Sequence, residues 1–273
     1  MSPNAAVAPA PVVAPKPAAN DNPRISNVVE LPSKGKFNPE IPDGLVEIYP
    51  MTTREEALLV GMGDGQISDV FDAILARAIK SPEFDLGDML LTDKFYLVLM
   101  LRANSYGSDY TFSIACPKCG QDIEHTCEIP TDFEVSQGSA EGDEPFEVTL
   151  PITKTKVSYR LLRGKDEDDI DRFSRREKSK GKGDNREYIY RLAKHIVSIN
   201  GKAPENINAA MEFVSTLLGL DSVEFRNAMD DATPGVDTTL EVECKRCKRD
   251  FKVEMPFTAG FFRPRRKAAK RNL

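Results

Sequence analysis

Four of the five cysteines fall in two Cys-x-x-Cys turns, Cys116-Pro-Lys-Cys119 followed by Gly120, and Cys244-Lys-Arg-Cys247. Two thiolates three residues apart can sit on one side of a metal, and a tetrahedral zinc ion takes four such sulfurs at about 2.3 Å. Alternating apolar residues flank each turn: Phe112 and Ile114 before the first, Leu240 and Val242 before the second, then Ile123 and Phe251 beyond them. The pattern predicts a zinc ribbon in which two β-hairpin tips grip one structural zinc through Cys116, Cys119, Cys244 and Cys247. Four thiolates leave no position for a water or substrate, so the expected role is structural. A redox dithiol competes as the reading of a lone pair, and the second pair in the same hairpin context weighs against it.

The neighbouring residues refine this. Cys127, eight residues beyond Cys119, reads as an apolar strand position and not a ligand, and His125 as structural. Gly120 suits the left-handed turn that ends such a knuckle, but Lys248 stands at the matching place in the second. Lys245, Arg246, Lys248 and Arg249 either offset the negative charge of a zinc tetrathiolate or form a solvated face.

Nothing else in the chain carries chemistry. Phosphate-binding glycine loops, a Gly-x-Ser-x-Gly elbow and a His-Glu-x-x-His helix are all missing, and neither His125 nor His195 lies beside an obvious nucleophile. The carboxylates from Asp166 to Asp171 lack the spacing and glycine of a calcium loop; their offsets to Arg172 and Arg175 suit an exposed helix instead. The protein reads as a non-enzyme.

Positioning the cysteines needs a folded frame, and the composition allows one. The 273 residues are 40% hydrophobic and 29% charged, with a net charge of -6, which suits a globular protein and argues against a surface built throughout for nucleic acid or anionic membrane. The longest apolar run, Phe95–Leu101, is bounded by Asp93, Lys94 and Arg102 and is far too short to span a membrane. The opening segment has no cationic leader and many prolines, so a reducing cytoplasm is the expected compartment and paired cysteines read as ligands.

Residues 1–22 are Ala/Pro-rich and read as a disordered arm. From Ile25, strands are expected in ISNVVELPSKGKFN and LVEIYP, with turns at Ser33-Lys34-Gly35 and Pro42-Asp43-Gly44. Thr52 and Glu55 have capping-box spacing; Phe71, Ile74, Leu75 and Ala78 share a helical face; a third helix runs from about Thr92 to Ser105. The first cysteine hairpin follows Gly107.

The second half repeats the plan. The register that sets Cys116 on Cys244, a shift of 128, also sets Asp93 on Asp221, Gly107 on Gly235, Cys119 on Cys247 and Phe133 on Phe261; a shift of 111 sets Glu55 on Asp166 and Leu59 on Ile170. The expectation is an α+β fold of two related β-α-α-α-β-hairpin lobes sharing the four-cysteine zinc ribbon. The first lobe is 23–135 and the second 145–260, joined by the polar linker 136–144 and ending in a basic tail at 261–273. The 17 extra residues of the second copy are assigned largely to the polar stretch around KSKGKGDN. Phe257, Phe261 and Phe262 either anchor a partner's groove or close the second hairpin's core.

VVELPSKGKFNP, VEIYPMTTREEALL, LLTDKFYLVLMLRANSYG leading into CPKCG, and PGVDTTLEVECKRC leading to FFRP together resemble the T-even-type baseplate hub and hub-assembly proteins of contractile-tailed bacteriophages. The likeness covers most of residues 27–264. It implies a non-enzymatic component or assembly factor of the baseplate, in the host cytoplasm during assembly or in the virion, whose partners are other baseplate and tail proteins or further copies of itself. The competing class is a nucleic-acid-binding zinc-ribbon protein using the basic second knuckle and tail.

Overall fold

A computed structural model of the chain describes residues 25–60, 67–80, 84–139, 142–180, 185–257 and 261–262. The expected arm at 1–22, the heart of the KSKGKGDN stretch and the basic tail beyond Phe262 lie outside the described residues. The fold mixes helices with small antiparallel sheets, as expected for an α+β protein.

Strands β1 (Asn27–Glu30) and β2 (Leu45–Ile48) form a hairpin. Between them Lys34, Gly35 and Gly44 take positive φ, and a Cβ on Gly35 would lie 2.2 Å from the Ile41 carbonyl, so the turn requires glycine there. Helix α1 (Thr53–Val60) starts at the predicted capping box: the Thr52 N–H donates to Glu55 Oε2 at 2.7 Å and the Arg54 N–H to Thr52 Oγ1. Helix α2 (Ile67–Ala78) buries Ile74, Leu75 and Ala78 on the predicted face. Helix α3 (Leu91–Tyr106) is buried on most sides. Strands β3 (Asp109–Ala115) and β4 (Asp122–Glu128) form the first cysteine hairpin, and β5 (Glu134–Ser136) follows.

The second half opens with β6 (Phe146–Thr149) and β7 (Lys156–Tyr159), then α4 (Gly164–Ser179) and α5 (Asn185–His195). Strand β8 (Ile196–Ile199) pairs with β7, and α6 (Ile207–Ser215) and α7 (Gly219–Ala232) follow. Strand β9 (Gly235–Asp237) pairs back to β5 across the chain, and β10 (Thr239–Glu243) with β11 (Asp250–Glu254) form the second cysteine hairpin.

The element starts follow the predicted offsets. Helix α4 begins at an offset of 111 from the start of α1, and α7 at an offset of 128 from the start of α3. Capping repeats too, with the Arg163 N–H donating to Asp166 as Thr52 does to Glu55. Asp93 and Asp221, each the third residue of its helix, accept from Ser33 N–H (3.0 Å) and Ile152 N–H (2.7 Å), so each ties its helix to the turn after its half's first strand. The insertion is distributed differently from the expectation. The backbone bond from Tyr49 to Ala78 matches that from Arg160 to His195, an offset of 117 at the end of the second helix, so only six of the 17 extra residues precede it. The other eleven, together with residues matching 80–90, build the stretch after β8 and the additional helix α6. Polar composition marks KSKGKGDN as an insertion by itself, whereas INAAMEFVS, apolar at helical spacing, needs a partner face to be placed.

Two apolar clusters result. One joins β1, β2, α2, α3, β3 and β4 and also takes in Leu240, Met255, Phe261 and Phe262 from the end of the chain. The other gathers Phe146, Tyr159, Phe173, Leu192, Met211, Phe225 and Met229 with Leu90 and Phe37 from the first half. Phe257, Phe261 and Phe262 thus pack inward against Phe71, Phe95 and Tyr110, and not into a partner's groove. Both described ends of 136–144 are tied down: the Ser139 N–H donates to the Asp231 carbonyl at 2.7 Å and Glu144 accepts from Leu161 N–H.

The charges flanking the longest apolar run are buried, not solvated. Arg102 is 1% exposed and donates to the carbonyls of Gly107, Asp109 (2.6 Å) and Phe261 (3.4 Å), under the rings of Tyr110 and Phe261. It therefore fastens the chain end to α3, and burial lowers its pKa. Lys94 pairs with Asp72 on α2.

Candidate metal centre

Both cysteine hairpins have the same local build. In β3–β4, Ala115 stands opposite Asp122; in β10–β11, Glu243 stands opposite Asp250, again at an offset of 128. The Cys116 N–H donates to the Gln121 carbonyl (2.8 Å) and the Gly120 N–H to the Cys116 carbonyl (2.9 Å); Cys244 with Arg249 and Lys248 with Cys244 repeat those bonds at 2.9 and 2.8 Å. Closing so tight a loop needs a left-handed residue at the position after the second cysteine, supplied by Gly120 (φ 67°) and by Lys248 (φ 54°). The lysine takes a conformation that glycine adopts without strain.

The two tips meet. The Sγ atoms of Cys116, Cys119, Cys244 and Cys247 all lie within 4.8 Å of one another. Two of the separations that cross between the hairpins, Cys116 to Cys247 and Cys119 to Cys244, are both 3.7 Å. A tetrahedron with 2.3 Å arms has edges of about 3.8 Å, whereas a disulfide would bring sulfurs to about 2.0 Å. The donor set and its spacing fit a tetrahedral thiophilic cation, with Cys116 and Cys244 buried and Cys119 and Cys247 half-buried.

The thiols also perturb one another. Burial opposes the Cys116 thiolate, but the backbone N–H groups of Cys119 and Lys118 outweigh it and draw the group down to about 6. Burial, together with the Cys116 and Cys244 sulfurs, pushes Cys247 up to about 11. Four sulfurs this close cannot all ionise without a cation between them.

The remaining predicted residues fall as follows. Cys127 is a buried strand residue facing the first core, its thiol pushed up to about 11 by burial. His125 lies edge-on to Phe112 at 5.6 Å. The Arg249 backbone N–H donates toward the Cys247 sulfur, and the Lys248 side chain leans toward Glu243 on its own hairpin (3.3 Å). Sequence reasoning missed Arg102, since a charged residue ending an apolar run reads as a boundary.

The carboxylates of α4 serve structure. Asp166 accepts both guanidinium nitrogens of Arg160 (2.6 and 2.8 Å) and lies 3.0 Å from Lys194, which also reaches Asp169. Arg172 bonds Asp169, and Arg175 lies 3.6 Å from Asp171. No helix among the described residues is long and apolar enough to cross a membrane.

Two hairpin tips converge on one four-thiol cluster that could hold a metal ion, carried by a small α+β frame. Residues 24–263 match the family described as T4 bacteriophage base plate protein, and the chain belongs to that family. No curated protein and no solved structure matches the chain.

Proposed function

We propose that this protein is a non-enzymatic component or assembly factor of a contractile phage tail baseplate, in its hub region, working through protein contacts and stabilised by one structural zinc at Cys116, Cys119, Cys244 and Cys247. The observation that carries the reading is a baseplate-family match running along nearly the whole folded chain, joined to a four-sulfur cluster whose edges suit tetrahedral zinc. Zinc here joins cysteines from opposite halves of the chain. Closing so long a loop favours the compact state, and metal affinity adds directly to folding stability.

By descent the units are two related lobes, 23–135 and 145–260, joined at 136–144, with arms at 1–22 and 261–273. The packing cuts across that division, because the second hairpin and its phenylalanines complete the first core. Host cytoplasm during assembly, then the tail, is the setting that suits reduced thiols and baseplate partners.

The test is co-purification: the protein, tracked in infected cells, is expected in tail or baseplate particles, transiently for an assembly factor and permanently for a component. Absence from particles at every stage of tail assembly would sink the reading. A nucleic-acid role predicts steeply salt-dependent binding to DNA or RNA. Little binding is expected even at low salt, because Lys248 and Lys252 already face Glu243 and Glu241.

A further inference from the structure

The same helix end is covered in one half and open in the other. At the start of α3, Leu90 is 1% exposed because the second half lies over it: the Leu91 N–H donates to the Leu162 carbonyl (2.9 Å) and the Gly164 N–H to the Met89 carbonyl (3.0 Å). Gly235 lies close against Thr92, where a Cβ would come within 3.3 Å, and the Phe257 ring lies tilted against that of Phe95, centroids 5.5 Å apart. At the matching place in the second half, the start of α7 carries Leu218, Leu220 and Val223 at 49%, 64% and 41% exposure, and Ile152, tied there through its bond to Asp221, is 51% exposed. Four large apolar side chains gathered at one helix end are a contact surface rather than scattered surface residues.

The covering side has an open counterpart as well. The residues matching Leu162 and Gly164 are Met51 and Thr53, and Gly107 matches Gly235. Thr53 and Gly107 are exposed, and a Cβ on Gly107 would meet nothing within 4 Å. The amides of Gly219 and Thr53, which match the donors Leu91 and Gly164, donate to no acceptor among the described residues. At Gly164 a Cβ would strike the Leu86 carbonyl at 2.5 Å; the stretch matching Leu86 is rebuilt as α6, so Thr53 would meet a different wall.

We propose that the chain associates with itself head to tail, the α1 start of one copy (Met51, Thr53, Gly107) covering the α7 start of the next (Leu218, Leu220, Val223). The contact continues between chains the one already made within the chain: in a single copy the α7 start is exposed, and at the α1 start Thr53 and Gly107 are exposed while Met51 is half-buried against the first core. Because the two faces differ, the contact is heterologous, and its products are rings if the rotation closes and filaments otherwise. This deepens the contact-making role proposed above. Its test uses the isolated protein, so either can fail alone.

Sedimentation of the full-length, zinc-loaded protein over a concentration series is the experiment. Wild type should grow in mass with concentration. Leu220→Glu and Thr53→Glu, both at exposed positions, should each stay monomeric with unchanged melting. An equimolar mixture of the two should form a 1:1 dimer and nothing larger, since one variant keeps each intact face. A wild type that stays monomeric, a Leu220→Glu variant that assembles like wild type, or a mixture that remains monomeric would each overturn the proposal. Wild type that is monomeric yet binds isolated tail particles through Leu220 would overturn it too, assigning the patch to another protein.

Discussion

Glu55 and Asp166 occupy the same place in their halves, third residue of the first helix, each capping it through a backbone N–H. Asp166 also carries Arg160 and Lys194, while the first half places its cysteine hairpin and the returning chain end around its own helices. One backbone plan is thus held in two ways, by a four-thiol cluster with an aromatic seal in one core and by a buried ion network beside the other. The elements and the capping recur in both halves; the means of holding them together differ.

Removing the four-thiol cluster should separate the cores most sharply. Cys244→Ser is expected to lose zinc and solubility together, with a stability loss on the order of 10 kcal/mol under conditions where zinc is saturating. Metal analysis beside a melting curve checks it; a variant retaining full zinc and an unchanged melt would refute the shared site. Hydrogen exchange should show β3, β4, β10 and β11 opening well before α4 and α5.

The next effect belongs to the ion network. Asp166→Asn leaves Arg160 and Lys194 short of their carboxylate in a mostly buried setting and should cost about 3 to 5 kcal/mol in chemical denaturation. Glu55→Gln, at the matching position, should cost only about 1 kcal/mol, the worth of a cap. Equal losses would erase the contrast between the halves. Asp166 has a lowered pKa: burial raises it, but the hydrogen bonds from Arg160 and Arg163 win. Its stabilisation is therefore fully present above about pH 4 and lost as pH falls toward the folded value.

His195 gives a finer test at milder pH. Burial lowers its pKa from 6.5 to about 4, with Nδ1 at 2.8 Å from the Arg160 carbonyl. A depressed histidine is neutral in the fold, so its contribution is complete above pH 6.5 and declines between there and about 4. The span corresponds to roughly 3 kcal/mol. His195→Asn should flatten the stability slope across that window, and an unchanged slope would show that the ring is not buried as described.

The smallest effect compares the knuckles. Lys248→Gly relieves a left-handed lysine and should stabilise by about 1 kcal/mol, and Gly120→Ala should cost a similar amount, since a Cβ there meets nothing and only backbone conformation is at issue. Thermal melts of the zinc-loaded proteins would read both, and opposite signs are the expected result.

Local signals in the sequence carried far. Cysteine spacing, the Thr52–Glu55 cap and the 111 and 128 offsets all located their elements, because each depends on residues a few positions apart or on a preserved register. The choice of zinc and the ligand role of the four cysteines still rest on sulfur chemistry and on the spacing of the two tips. What stayed hidden depends on partners distant in the chain. The pairing of β5 with β9 joins three-residue segments from opposite halves, too short to show a period. Arg102 read only as the boundary of an apolar run because its carbonyl partners are supplied by folding, and Phe261 and Phe262 were close to a charged tail that suggested exposure.

The return of the chain end has a consequence for synthesis. Leu240, Met255, Phe261 and Phe262 belong to the core that α2 and α3 begin. On the ribosome, helices from the first part of the chain must therefore wait, with part of their apolar faces unsealed, until Phe262 has been translated. The first core is complete only once the second cysteine hairpin and the phenylalanines after it have been made.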